Sequence, residues 1–369
     1  MRTVKVGIIG CGMIANGKHM PSLSKVGNVE MVAFCDLIEE RAREGAEKYG
    51  VPGAKVFTDY KQLLAMEEIE VVHVLTPNIS HAVISIDAME AGKHVMCEKP
   101  MAKTGAEAKA MYEAHVRTGK KLTVGYQNRS KAQSQLLKKM IVNDELGEIY
   151  YAKAVATRRR GVPTWGVFLD KEKQGGGPMI DIGTHSLDLI LWLMNNYEPE
   201  SVVGSVFHKL KDTENAANEW GSWDPKEFEV EDSAFGYVKF KNGAVVSIET
   251  SWALNVAKTD GSFLCGTKGG ADFNGGLRIN GERDGSLFLN VIDVDRNVRE
   301  YFRGENMTDF EYEAKQWIYS IVNNTEPLVK PEEAMVVSAI LEAVYISAET
   351  GKPVYFDESN VPAAGTTIR

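Results

Sequence analysis

Cysteine is scarce in this chain. Its 369 residues include four, Cys11, Cys35, Cys97 and Cys265, widely spaced and with no C-x-x-C pair. Neither a disulfide framework nor a zinc knuckle is indicated, and a reducing, cytoplasmic setting fits best. Long apolar runs are missing too. No window reaches the roughly 18 uncharged apolar residues of a membrane span, and even Leu187 to Met194 is interrupted by Asp188. The apolar stretch Val4 to Ile9 follows a single early Arg2 but runs into Gly10-Cys11-Gly12 with no small-residue cleavage pattern, so it reads as a strand and not as a signal peptide. Nor is there a surplus of positive charge. Forty-two Lys and Arg against 51 Asp and Glu give a net charge of −9, which works against attraction to phosphate backbones or anionic lipid. Neither nucleic acid nor a membrane is expected as a partner, and no internal repeat is visible.

What remains is an ordinary globular composition, 44% hydrophobic and 25% charged, in a chain long enough for two domains with substantial cores. From Val4 to Gly125, short apolar runs alternate with longer amphipathic ones. Strands are expected at Val4–Ile9, Glu30–Cys35, Lys55–Phe57, Val71–Leu75, His94–Cys97 and Lys121–Gly125, and helices at Glu39–Tyr49, Ser80–Ala91 and Thr104–Thr118. Near-continuous apolar strands between helices mean a parallel sheet covered on both faces, a doubly wound α/β domain over residues 1–125.

Gly10-Cys11-Gly12-Met13-Ile14-Ala15 matches G-x-G-x-x-G/A after the first strand and before a helix. Gly10 permits the tight turn, Gly12 lets a pyrophosphate approach the backbone, and Ala15 is small enough for close helix–strand packing. An anion would rest on the helix N-terminus at Met13 and Ile14. Asp36 ends the second strand, where a carboxylate can hydrogen-bond ribose hydroxyls and would repel a 2′-phosphate; Leu37 and Ile38 offer no arginine to compensate. NAD is therefore the expected cofactor. Two more strand ends carry unusual chemistry, Thr76-Pro77-Asn78 with His81, and Glu98-Lys99-Pro100. Ligands of open α/β sheets bind at the carboxyl ends of strands, so both belong with the glycine loop.

The ordered set G-x-G-x-x-A, T-P-N-x-x-H and E-K-P, followed by Gly176-Gly177-Pro178-Met179-Ile180-Asp181-Ile182-Gly183-Thr184-His185, resembles the glucose–fructose oxidoreductase, inositol dehydrogenase and MocA (Gfo/Idh/MocA) family. The resemblance implies an N-terminal Rossmann domain and, over 126–369, a C-terminal α/β domain with a large, mostly antiparallel open sheet. Strand-like runs at Ile149–Thr157, Val202–His208, Ala234–Phe240 and Ala244–Thr250, with Asn242-Gly243 between the last two, agree independently. Helices are expected at Ser186–Asn195, Thr308–Asn323 and Glu332–Thr350.

Oxidising a secondary alcohol with NAD requires a base for the hydroxyl proton while hydride leaves the same carbon. By resemblance Lys99, Asp181 and His185 handle that proton, and Thr76, Pro77, Asn78, His81, Glu98, Lys99 and Gln127 join Gly10, Gly12, Met13, Ile14 and Asp36 around the cofactor. A lysine in a partly dry crevice beside a positively charged nicotinamide has its ammonium form disfavoured twice over and can accept a proton near neutral pH. Asp181 and His185, four residues apart at a helix start, share one face if that turn is helical. Which of Lys99 and His185 accepts the proton stays open; the resemblance favours His185, with Lys99 polarising the oxygen. Asp181-x-x-x-His185 has metal-ligand spacing, yet no third His or Cys lies nearby and His19, His73, His94, His115 and His208 are scattered, so no metal is expected.

Sugars are bound by aromatic faces and planar hydrogen-bonding groups, and Tyr126, Asn128, Arg158 and Trp165, with Asp181 and His185, are the expected substrate residues. Together these stretches resemble a branch of the family that oxidises glucosides at the C3 hydroxyl. The acidic, turn-rich segment 212–232 with Trp220 and Trp223 reads as a functional loop, lid or subunit contact, or as a plain insertion. The expected protein is an NAD-dependent sugar, glycoside or polyol dehydrogenase, and by resemblance a homodimer or homotetramer. The alternatives are a glycosidase that oxidises its substrate transiently on bound NAD, a keto-sugar reductase, or a non-enzymatic sensor.

Overall fold

The computed structural model describes residues 2–257, 261–294 and 296–356, and the chain in it forms two units. The first is built on six parallel strands, β1 (Val4–Ile9), β2 (Val29–Cys35), β3 (Lys55–Phe57), β4 (Val71–Val74), β5 (His94–Cys97) and β6 (Leu122–Val124), in the order β3-β2-β1-β4-β5-β6. The order reverses between β1 and β4, whose parallel pairing sets Ile8 beside His73, so the crevice at that reversal lies over the glycine loop. The strands read as unbroken apolar runs because both faces are covered: five of the six residues of β1 are buried.

This unit comprises residues 1–102, 106–130 and 307–335, so it reaches past the expected boundary at residue 125. The helix Asp309–Val322, capped by a reciprocal Thr308–Glu311 capping box, sends Ala314, Trp317, Ile318 and Ile321 into one core with Val4, Ile8, Cys11 and Met96. Sequence distance hid that partnership. Cys11, Cys35 and Cys97 are buried in the same unit, and burial first, then the neighbouring Asp36 carboxylate, pushes the thiols of Cys11 and Cys35 up to about 12. They behave as small apolar side chains and not as nucleophiles.

The second unit carries nine strands: β7 (Ile149–Thr157), β8 (Pro199–Phe207), β9 (Ser233–Phe240), β10 (Val245–Ser251), β11 (Phe263–Gly266), β12 (Gly269–Asp272), β13 (Leu277–Arg283), β14 (Ser286–Ile292) and β15 (Val354–Tyr355). Their order is β14-β13-β12-β11-β7-β10-β9-β8-β15, antiparallel everywhere except between β7 and β10. Asn242-Gly243 makes the expected hairpin from β9 to β10, with Gly243 at φ 87°. One face is covered by the helix Thr184–Met194, nine of whose eleven residues are buried. Along the register, Val203 lies opposite Tyr237, and the same face runs on through Ser247, Lys153, Phe263, Asp272 and Arg278 to Val291. Val203, Tyr237 and Val291 are exposed there.

The segment 212–232 is not loose. Ala216, Trp223, Phe228 and Val230 share a core with Val162, Trp252 and Ala253, and both ends of the Asn218 side-chain amide pair with the backbone of Val162 at 2.8 and 2.9 Å. Trp223 and Phe228 are its structural anchors, which explains why neither helical nor strand periodicity could be read there.

Candidate active site

In the first unit the glycine loop is shaped by close backbone approach. Gly10 sits at φ +90°, and a Cβ there would lie 2.7 Å from the carbonyl carbon and oxygen of Leu75, so no other residue fits. A Cβ on Gly12 would meet nothing within 4 Å, leaving the loop open above. The helical turns after it span residues 13–23, with Ala15–His19 wound as a π-helix. Asp36 joins this loop to the end of β2: its Oδ2 accepts the Cys11 N–H at 2.8 Å and its Oδ1 the Ile38 N–H at 2.9 Å. Around the same strand ends Met13, Ile14, Leu37, Ile38 and Ile79 are exposed, Leu37 at 91%. Exposed apolar side chains gathered about an open glycine loop with a carboxylate beside it are what an adenosine ring, ribose and pyrophosphate require. The residues fit a dinucleotide, which when bound supplies the hydride acceptor.

Thr76 and Asn78 follow β4, Asn78 buried and Pro77 exposed. His81 is placed differently from the expectation that it faces the cofactor. It is fully buried, and its ring nitrogens reach two carbonyl oxygens, Pro100 O at 2.8 Å and Thr76 O at 2.9 Å. It ties the turn after β4 to the turn after β5. Burial pulls its pKa down and the two carbonyl bonds push it back up, leaving it lowered. Glu98 also faces inward: its Oε2 accepts the Lys99 N–H at 2.9 Å and its Oε1 lies 2.8 Å from His19 Nε2. Burial alone would raise this carboxyl, but His19 and Lys99 more than offset that and hold it down at about 2. The Lys99 side chain is half-buried, beside a cis peptide to Pro100.

Tyr126 departs from expectation as well. It is 0% exposed, so it forms wall and not substrate-facing surface. Arg129 is equally buried and is held by Glu333 and by the Leu328 carbonyl. Gln127 and Asn128 between them are half-buried.

The second unit arranges Asp181 and His185. Residues Met179–Gly183 wind as a π-helical turn that runs directly into the helix Thr184–Met194, so the two side chains stand four residues apart on one continuous helical stretch. The glycine run before it is forced by packing. A Cβ on Gly176 would lie 2.1 Å from the Tyr345 hydroxyl, and one on Gly177 would lie 2.2 Å from the Glu231 carbonyl oxygen. The buried Glu231 carboxylate holds the turn open, accepting the Gly177 N–H at 2.8 Å, the Met179 N–H at 3.3 Å and the Tyr345 hydroxyl at 2.8 Å. Burial raises its pKa more than these donors lower it. Asp181 is 6% exposed and accepts the Trp252 indole N–H at 3.1 Å; His185 is half-buried.

Arg158 and Trp165 come together in this unit through a residue the sequence reading did not assign. Trp220 packs edge-on against Trp165 with centroids 5.0 Å apart, and the Arg158 guanidinium lies over its ring at 5.3 Å. Ring contacts continue from Trp165 to Phe168 and from Phe168 to Trp252. An aromatic row thus leads from the Asp181 partner to the exposed indoles of Trp165 and Trp220. Also unassigned by sequence were His19, Glu231, Trp252 and Tyr345, each of which acts through a site residue and carries no motif of its own. Among the described residues no three His, Cys, Asp or Glu side chains converge as metal ligands, and no described helix is long and apolar enough to cross a membrane.

A doubly wound dinucleotide unit joined to a unit with a large mixed sheet defines an oxidoreductase, and comparison with known proteins gives the family. Residues 4–126 match the Gfo/Idh/MocA oxidoreductase family's NAD-binding Rossmann fold, and residues 138–356 match its C-terminal alpha/beta domain. The chain belongs to that family, and its cofactor is NAD. It is 35% identical over 359 residues to D-glucoside 3-dehydrogenase of Escherichia coli, covering 94% of this chain and 96% of that protein. Levoglucosan dehydrogenase of Pseudarthrobacter phenanthrenivorans is 30% identical over 74% of each chain. Among solved structures, an oxidoreductase domain protein from Kribbella flavida superposes with a TM-score of 0.84 at 24% identity, covering 97% of this chain and all of that one. Levoglucosan dehydrogenase in complex with NADH does so with a TM-score of 0.82 at 22% identity, over 96% of this chain and all of that one.

Proposed function

We propose that this protein oxidises a secondary hydroxyl of a glycoside, the ring C3 hydroxyl of a glucoside first among them, with NAD as hydride acceptor. One observation carries the reading: Asp181 and His185 share a single helical turn built by Glu231 and Trp252, in a chain that also keeps Lys99 and is similar over nearly its whole length to a D-glucoside 3-dehydrogenase. In this proposal His185 accepts the hydroxyl proton, Lys99 polarises the oxygen, and Asp181, fixed by the Trp252 N–H, holds the geometry. Arg158, Trp165 and Asn128 bind the sugar, with Trp220 beside them offering an indole face to a ring. The free thiols of Cys11, Cys35 and Cys97, all buried, and the acidic chain support a cytoplasmic location. Assembly as a homo-oligomer is supported by the exposed apolar side chains Val203, Tyr237 and Val291 on one sheet face.

The test is NADH formation from NAD with a panel of free sugars, alkyl and aryl glucosides, inositols and sugar acids, with product analysis to locate the oxidised carbon. A rise confined to glucosides, with the carbonyl at C3, is expected. Cleavage of aryl glycosides without net NADH would identify a transient-NAD glycosidase, and oxidation of NADH by keto-sugars alone would identify a reductase. Cofactor choice rests on Asp36. Asp36→Ala should weaken NAD binding about tenfold or more and relax discrimination against NADP, since it removes both the ribose acceptor and the repulsion of a 2′-phosphate; an unchanged NAD-to-NADP ratio would show that the carboxylate serves only the Cys11 and Ile38 amides.

A further inference from the structure

The first unit contains a buried chain of polar side chains that the proposed reaction leaves without a role. Glu98 precedes Lys99 and holds its backbone N–H at 2.9 Å. From the other carboxylate oxygen the chain continues to His19 Nε2 at 2.8 Å. Nδ1 of His19 lies 3.4 Å from Nδ1 of His73 in β4, the two rings edge-on with centroids 5.5 Å apart. His19, His73 and Glu98 are 6%, 1% and 8% exposed. Behind them, Nε2 of His73 and Nε1 of Trp317 have no hydrogen-bond partner, and both residues line a cavity of about 10 Å³, the volume of roughly one water. The contacts run pairwise along a line and share no common point, so this is a hydrogen-bond chain and not a ligand set.

Three polar side chains in a core are costly unless each is paired. The approach to Glu98 is made for it: across from the carboxylate stands Gly125, where a Cβ would come within 3.2 Å of Glu98 Oε1. A carboxylate can only accept, so His19 Nε2 carries a hydrogen whatever the charge on the ring. The charged groups facing the chain are Glu98 and Lys99 at one end and Lys18 and Glu313 at the cavity. His73 is kept neutral, because burial first and His19 second drive its proton off.

We propose that His19 is a positioning residue for the reaction: it fixes the Glu98 carboxylate, which in turn fixes the backbone of Lys99, while His73 sets the plane of the His19 ring from behind. This rests on the reading of Lys99 as a catalytic residue. A small displacement of Lys99 degrades the chemical step far more than it degrades binding, because orientation is paid for only once the reacting atoms must align.

The test compares His19→Leu, His19→Gln and Lys99→Met in the full chain, by kcat and KM for the best glucoside and by NADH affinity. Removing the donor in His19→Leu should lower kcat about 10- to 100-fold and leave NADH affinity and the glucoside KM within about threefold. His19→Gln, which restores an N–H, should recover most of the turnover; a general packing defect would not be rescued this way. If His19→Leu keeps its turnover while Lys99→Met is inactive, the positioning role is wrong; if Lys99→Met is active, the underlying reading of Lys99 is wrong instead. Should His19→Leu fail to fold, His19→Gln and the unsubstituted protein decide. Nitrogen-15 NMR must then show His19 Nε2 protonated at every pH where the enzyme turns over, and a bare Nε2 overturns the inference.

Discussion

Lys99→Ala is expected to lower turnover by about two to four orders of magnitude while leaving NAD affinity within about threefold. The reasoning is geometric before it is electrostatic. The Lys99 backbone is held by the Glu98 carboxylate and the following proline is tied through its carbonyl to His81, so truncating the side chain removes the amine and leaves the strand end in place. What is lost is a positively charged donor to the substrate oxygen, whose interaction matters most as the proton departs to His185, and such losses fall on kcat. Lys99→Arg should not rescue, because a bulky planar guanidinium cannot place its donors where the compact ammonium sits. The check is kcat from NADH appearance together with NAD affinity from quenching of protein fluorescence. Turnover within about threefold of the unsubstituted protein would remove Lys99 from the mechanism.

The second large effect concerns stability. Glu231→Leu strands three donors at once, the Gly177 and Met179 amides and the Tyr345 hydroxyl. At about 1–3 kcal/mol for each buried unpaired donor, a loss of roughly 3–9 kcal/mol is expected, a large part of the 5–15 kcal/mol that holds a typical domain together. Calorimetry should show a melting point lower by roughly 10 °C or more, whereas Tyr345→Phe, which removes one donor and one bond, should cost only about 1 kcal/mol. The variant that survives should also lose turnover, because the same carboxylate sets the turn that carries Asp181 and His185. The sign with pH follows from burial. The folded pKa of Glu231 is raised, so its ionised form is disfavoured on folding, and the stability it contributes is fully present below its ordinary value and lost as pH rises through the raised one. The difference between Glu231→Gln and the unsubstituted protein should therefore narrow toward alkaline pH. A Glu231→Leu protein melting within a degree or two of the parent would show that other contacts hold this turn.

Much of this was legible in the chain itself, for physical reasons that differ from element to element. The Rossmann strands could be read because burial on both faces leaves continuous apolar runs, and the helix Glu39–Tyr49 falls where its amphipathic pattern puts it. The glycine loop could be read because close backbone approach at Gly10 admits one residue type. The strands β11 to β14 escaped because they are short or face solvent on both sides, β14 exposing Leu287, Leu289 and Val291, which erases the alternation. His81 and Tyr126 illustrate another limit. A motif shows that a residue belongs to a turn, but whether its side chain faces the ligand or the core depends on neighbours such as Pro100, far away in sequence. His19, Trp252 and Glu231 were hidden for the same reason, since their partners lie 79, 71 and more than 50 residues away.

The helix Asp309–Val322 gives the first unit an unusual schedule during synthesis. Its sheet is complete in sequence by Val124, yet Trp317, Ile318 and Ile321, which close the core over Val4 and Cys11, lie beyond residues 131–306 of the second unit. At roughly 5–20 residues per second the ribosome needs on the order of ten to forty seconds to deliver them. For that interval the nascent nucleotide-binding unit presents apolar surface with no lid, and the unit that starts second is finished, apart from its last helix and strand, before the unit that starts first.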